Sequence, residues 1–88
     1  MISKNFVLQN RVGLHARPAA KLVEAAGKFG SEVTIINGQK IANAKSILGV
    51  LALGAEMGTE VEIDIEGEDE AAAMAEIEKL INNNFGEK

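Results

Sequence analysis

The run Gly13-Leu14-His15-Ala16-Arg17-Pro18-Ala19-Ala20 sets the only imidazole of the chain beside a guanidinium and the only proline. A neutral imidazole carries a lone pair usable as a nucleophile near neutral pH, since its ordinary pKa is about 6.5. Arg17 can offer two parallel N–H donors to the oxygens of a phosphoryl group. Pro18 marks the opening turn of a helix, where a missing backbone N–H removes no helical bond. The first N–H groups of a helix lack internal acceptors and favour a neighbouring anion. Gly13 lets the loop approach closely. This set could capture a phosphoryl group on His15 and hold it with Arg17 and backbone donors, with no metal or cofactor. A histidine at a helix end is also compatible with an ordinary surface or capping residue, and spacing alone leaves that reading open.

Composition removes competing chemistries. Cysteine is absent, so a disulfide framework, a thiolate metal site and a thiol nucleophile are excluded. With no Trp or Tyr, the core must be built from aliphatic residues, Met and Phe such as Phe29. An apolar fraction of 47% over 88 residues fits one folded domain, taken as residues 1–88, and is too high for a disordered chain. No export signature and no membrane-spanning stretch is present, so the expected location is the cytosol. The formal charge of −4 is unevenly spread. Lys4, Arg11, Arg17 and Lys21 stand among the first 23 residues without an acid, whereas residues 60–70 hold seven acids and no base. The basic end suits an anionic group. It is too sparse, and too poor in aromatic platforms, for nucleic acid. Glu60, Glu62, Asp64 and Glu66 lack the converging backbone ligands of a calcium loop and read as a solvated face.

The elements that must position His15 follow from periodicity. Ile2 to Leu8 reads as a first strand, with Ile2, Phe6 and Leu8 on one face, and residues 9–13 as a loop. From Ala16 the spacing of Ala19, Leu22, Val23 and Ala26 predicts a helix whose wet side carries Lys21, Glu24 and Lys28, stopped at Gly30. Val33 and Ile35 mark a second strand. Asn37-Gly38 predicts a type I′ hairpin turn into a short return strand, Lys40 to Asn43. Ser46 opens a helical piece from Ile47 to about Ala52, ending near Gly54. Glu60 to Glu66 alternates strictly, with Val61, Ile63 and Ile65 inward. Asp69 is placed to cap a last helix, with Glu70 at its positive end and Ala73, Ile77, Leu80 and Ile81 as its stripe. Strands with one dry face require a single sheet with the helices on that face, a two-layer α+β domain. Strand order does not follow from periodicity.

Residues 13–20 resemble the active-site motif of the HPr family, the histidine-containing phosphocarriers of the bacterial phosphoenolpyruvate-dependent sugar phosphotransferase system. Asn43-Ala44-Lys45-Ser46-Ile47-Leu48-Gly49-Val50 resembles the family's second signature. The likeness continues through Leu53-Gly54, Gly58 and Gly67-Glu68-Asp69-Glu70-Ala71. It implies an open-faced β-sandwich, an antiparallel sheet of order 1-4-2-3 with three helices on one face. It also implies phosphorylation of His15 on Nδ1 by phosphorylated enzyme I, transfer to sugar-specific IIA domains, and stabilisation of the phosphorylated state by Arg17. Such a protein is a carrier within a relay, not a complete enzyme. It needs no cofactor or metal, binds no nucleic acid, inserts in no membrane and works as a monomer.

The resemblance further implies that Arg17, Ala20, Ile47, Leu48 and Leu51 contact enzyme I and IIA domains, while Val50 is left to the core. A helix of about two turns can bury only one side, so these assignments divide its apolar residues. Ser46 has two readings: an N-cap, and the regulatory site of an HPr kinase/phosphorylase, whose product could meet a transcriptional regulator. Two alternatives stay open. One is a nitrogen-related phosphorelay, whose carriers Ile81-Asn82-Asn83-Asn84-Phe85-Gly86 loosely resembles, although residues 45–49 look nearer the sugar type. The other is a small binding or regulatory module without phosphotransfer. A related catabolite regulator lacks the active histidine, and His15 argues against it.

Overall fold

Alternation of apolar and charged residues dictates the central strand, and the rest of the sheet assembles around it. The computed structural model describes residues 1–87. Its elements run β1 (Ile2–Val7), α1 (Ala16–Gly27), β2 (Glu32–Asn37), β3 (Lys40–Asn43), α2 (Ile47–Ala52), β4 (Glu60–Glu66) and α3 (Glu70–Asn82), followed by a 3-10 turn at Asn84–Gly86. The sheet order is β1-β4-β2-β3, with every pairing antiparallel. Val61, Ile63 and Ile65 are buried, flanked in register by Phe6 and Ile2 on one side and by Ile35 and Val33 on the other. The three helices cover that face. Leu22, Val50, Leu53, Met74, Ile77 and Phe85 complete the core beneath them. Fold class and strand order are therefore those that the resemblance implies.

Local details depart from expectation for identifiable reasons. The hairpin turn is Gly38-Gln39, one residue later than expected: Asn37 pairs with Lys40, and Gly38 alone has positive φ, at 63°. That is the pattern of a type II′ turn with glycine at its first central position. Asn37 stays in the strand because its Nδ2 donates to the Leu53 carbonyl at 2.9 Å. Helix α1 ends at Gly27, ahead of Gly30, and buries Ala25 beside the expected stripe. On the outer sheet face Glu60 and Glu66 are exposed, whereas Glu62 and Asp64 are half-buried. Their mutual hydrogen bond, Asp64's charge and partial burial push the Glu62 carboxyl above its ordinary pKa. Ile41 lies on this same face, paired with Ile36, and is exposed. The face is acidic but not uniformly polar.

Asp69 occupies the N-cap position of α3 without making the capping bond expected of it. Its carboxylate instead accepts the Gly30 N–H at 2.9 Å, the Ser31 N–H at 3.0 Å and the Ser31 hydroxyl. It thereby ties the α1–β2 turn to the start of α3. Glu70 bonds back to the Gly67 N–H at 3.1 Å, which supplies the N-terminal donor with its partner. The Ser31 hydroxyl, followed by backbone N–H groups, holds Asp69 below its ordinary pKa. A carboxyl lowered on folding adds stability that is complete above its unfolded pKa of about 3.9 and lost as pH falls through the folded value. Replacing Asp69 with Asn should therefore lower Tm by several degrees at neutral pH, with the gap to wild type closing in acid. Thermal scans across pH check this, and a gap independent of pH would refute it.

Candidate functional site

His15 is the N-cap residue of α1, with extended backbone (φ −76°, ψ −174°). Its side chain is exposed and makes no capping hydrogen bond, so the ring is not committed to holding the helix. Its carbonyl takes the Ala19 N–H at 2.9 Å. Pro18, in this first turn, has no N–H to place. The Ala16 and Arg17 N–H groups have no backbone acceptor among the described residues. Two backbone donors thus stand at the positive end of α1, beside the ring. Arg17 is exposed, as is Ala20 three residues on, so both lie on the outer side of α1 while Pro18, Ala19 and Leu22 face inward.

The loop before His15 is fixed by backbone contacts. Leu8 N–H donates to Thr59 O at 2.9 Å, Gly58 N–H to Leu8 O at 2.7 Å, and Leu14 N–H to Ala55 O at 2.9 Å. Gly13 takes φ of 58° and is buried against this second strand of chain. A Cβ on it would lie 2.6 Å from Glu56 Cα and crowd the Ala55 carbonyl oxygen. The close approach expected of Gly13 is thus an approach to residues 55 and 56. Around His15 a shallow depression is lined by Arg11, Val12, Glu56 and Met57. Glu56 and Met57 were not singled out in sequence, nor was Asn10, which is buried under the loop. Gly54 and Gly58, with φ of 62° and 90°, bracket residues 55–57 and were the available signal for a shaped loop there.

Helix α2 packs beside α1. Ser46 caps it, with Oγ accepting the Gly49 N–H at 3.1 Å. Val50 is buried, whereas Leu48 is 77% exposed and Ile47 and Leu51 are each 38% exposed. The short helix therefore splits its apolar residues between core and surface, as its length requires. Among the described residues no helix is long and apolar enough to cross a membrane.

A family model described as the PTS HPr component phosphorylation site matches residues 2–83. The chain is 46% identical over 88 residues to the phosphocarrier protein HPr of Treponema pallidum, with all of both chains covered. It is 42% identical over 87 residues to HPr of Xylella fastidiosa, covering 99% of this chain and 98% of that one. The crystal structure of HPr-C-His from Thermoanaerobacter tengcongensis superposes with a TM-score of 0.96 at 41% identity, covering 100% of this chain and 99% of the other. Fold and relatives together define a phosphoryl carrier that is not an enzyme by itself. Within that class, the chain belongs to the HPr family of the phosphotransferase system, whose members carry phosphoryl groups between enzyme I and IIA domains.

Proposed function

We propose that the phosphoryl group is carried on Nδ1 of His15. The observation that carries this reading is the exposed ring, free of any capping bond, at the positive end of α1. With its proton on Nε2, the neutral ring attacks phosphorus through the Nδ1 lone pair. A P–N bond forms as the bond to the enzyme I leaving atom breaks, and the reverse sequence delivers the group to a IIA domain. Arg17 and the Ala16 and Arg17 N–H groups then meet the dianionic oxygens. Incubation with phosphoenolpyruvate and a catalytic amount of enzyme I should add one acid-labile phosphoryl group, mapped to residue 15. A chain that stays unmodified beside a competent enzyme I would sink this assignment.

The surface formed by Arg17, Ala20, Ile47, Leu48 and Leu51 receives enzyme I and IIA domains in turn. Its exposure supports this, and its small apolar area suits a relay that must release as well as capture. The same reading has the chain work in the cytoplasm as a monomer, one domain over residues 1–88. The likeness of residues 45–49 to the sugar-type carriers favours that branch over the nitrogen one.

Ser46 takes a regulatory phosphate from an HPr kinase/phosphorylase, and the product offers a transcriptional regulator a new surface. Its exposure and its position just before Ile47 and Leu48 support this. A dianion there would disturb docking of enzyme I. Incubation with ATP and such a kinase should yield phosphoserine at residue 46, and the modified chain should accept phosphate from enzyme I more slowly. Absence of phosphoserine rejects the site, and unchanged enzyme I kinetics reject the inhibition.

A further inference from the structure

The turn that delivers His15 is held from the other end of the chain. Asn10 is 3% exposed, one of two buried polar residues among those described, the other being Ser31. Its Nδ2 donates to the Gly13 carbonyl at 2.8 Å and to Glu87 Oε1 at 3.1 Å. Its own carbonyl accepts the Gly13 N–H at 3.2 Å. Asn10 thus closes residues 10–13 through both backbone and side chain, and Glu87 grips the same amide from outside. Glu87 is itself anchored. Asn84 and Phe85, with φ of 53° and 56°, turn the chain back after α3; the Phe85 ring is buried, and its carbonyl accepts Lys21 Nζ at 2.7 Å. Lys21 belongs to α1, the helix that carries His15.

The orientation of the Asn10 amide shows what sets it. Among the described residues its Oδ1 is buried without a hydrogen-bond partner. Turning the amide over would point Oδ1 at the Gly13 carbonyl and the Glu87 carboxylate, two groups that only accept. Both acceptors therefore require the orientation in which Nδ2 faces Gly13, and the carboxylate adds a charge-assisted bond to it. We propose that Glu87 is a positioning residue for phosphoryl acceptance at His15, acting through the Asn10 side-chain amide on the Gly13 turn. This inference rests on His15 as the acceptor.

The test uses the full chain with enzyme I and phosphoenolpyruvate. Glu87→Gln keeps the shape but replaces the carboxylate with a neutral amide, so the charge-assisted bond that holds Asn10 Nδ2 from outside is lost while the Gly13 carbonyl remains its acceptor. Single-turnover phosphorylation should slow roughly tenfold at saturating carrier, with the half-saturating carrier concentration unchanged, because geometry at the acceptor rather than docking is altered. In the Asn10→Ala background the same change should have no further effect. The backbone and side-chain amide resonances of Asn10 and Gly13 should move in Glu87→Gln while those of β2 and β3 stay in place, a readout that does not depend on transfer at all. Equal maximal rates for wild type and Glu87→Gln would overturn the proposal, as would additive effects of the two substitutions or unmoved Asn10 resonances. Should Asn10→Ala fail to fold, the rates and resonances of Glu87→Gln decide the matter. A wild-type chain not phosphorylated on residue 15 would instead refute the acceptor assignment, which the resonances do not test.

Discussion

Replacing His15 with alanine should abolish phosphoryl acceptance from enzyme I and leave thermal stability almost unchanged. Both halves follow from the same geometry. An exposed imidazole that caps nothing contributes neither packing nor a helix bond, so its truncation belongs with surface changes, within about 0.5 kcal/mol. The usual loss of about 1 kcal/mol for removing a capping side chain does not apply, because there is no cap to remove. Nothing else in the turn can replace the nucleophile: neighbouring residues 13, 14 and 16 to 20 offer only apolar groups, an arginine and glycine. Mass measurement after incubation with phosphoenolpyruvate and enzyme I, alongside a thermal scan, checks the pair. Residual transfer at a substantial fraction of the wild-type rate would place the acceptor elsewhere.

Gly13→Ala should cause the largest stability loss of any small substitution near the site. The left-handed conformation costs an ordinary residue about 1–2 kcal/mol, and forcing a methyl into backbone at 2.6 Å adds about 1–3 kcal/mol of overpacking. Gly54→Ala is the internal control, since Gly54 directly follows the C-terminal cap of α2, has nearly the same φ, 62° against 58°, and has open space where its Cβ would fall. Only the conformational cost of about 1–2 kcal/mol should then appear. Denaturant titration of both variants separates the two contributions. Equal destabilisation would mean that the chain at residues 55 and 56 yields freely.

What the sequence made legible was what is local. The strict alternation of residues 60–66 reports a strand because each inward residue meets the core, and Ser46 with Ile47 to Ala52 reports a capped helix within seven residues. His15 was legible because imidazole, guanidinium and proline fall within four residues. Failures came where a side chain finds a distant partner. Asn37 could not be kept out of the turn without knowing of the Leu53 carbonyl. Asp69 had every mark of a cap, yet Gly30 and Ser31, on the distant α1–β2 turn, outbid its own helix for the carboxylate. Asn10 looked like one more polar loop residue, because Glu87 lies 77 positions away. Strand order likewise had no periodic signature; the family likeness supplied it.

Strand order also has a kinetic meaning. The loop that presents His15 follows an edge strand whose only neighbour in the sheet is β4, more than fifty residues further along the chain. Its backbone bonds at Leu8 and Leu14 go to residues 55–59, which precede β4 directly. Closing so long a stretch is an entropically late event, set against the rapid formation of α1 or the β2–β3 hairpin. A chain emerging from the ribosome therefore holds its histidine long before it has the turn that aims it. On the proposed assignment of His15, acceptance of phosphate becomes a property of the finished protein.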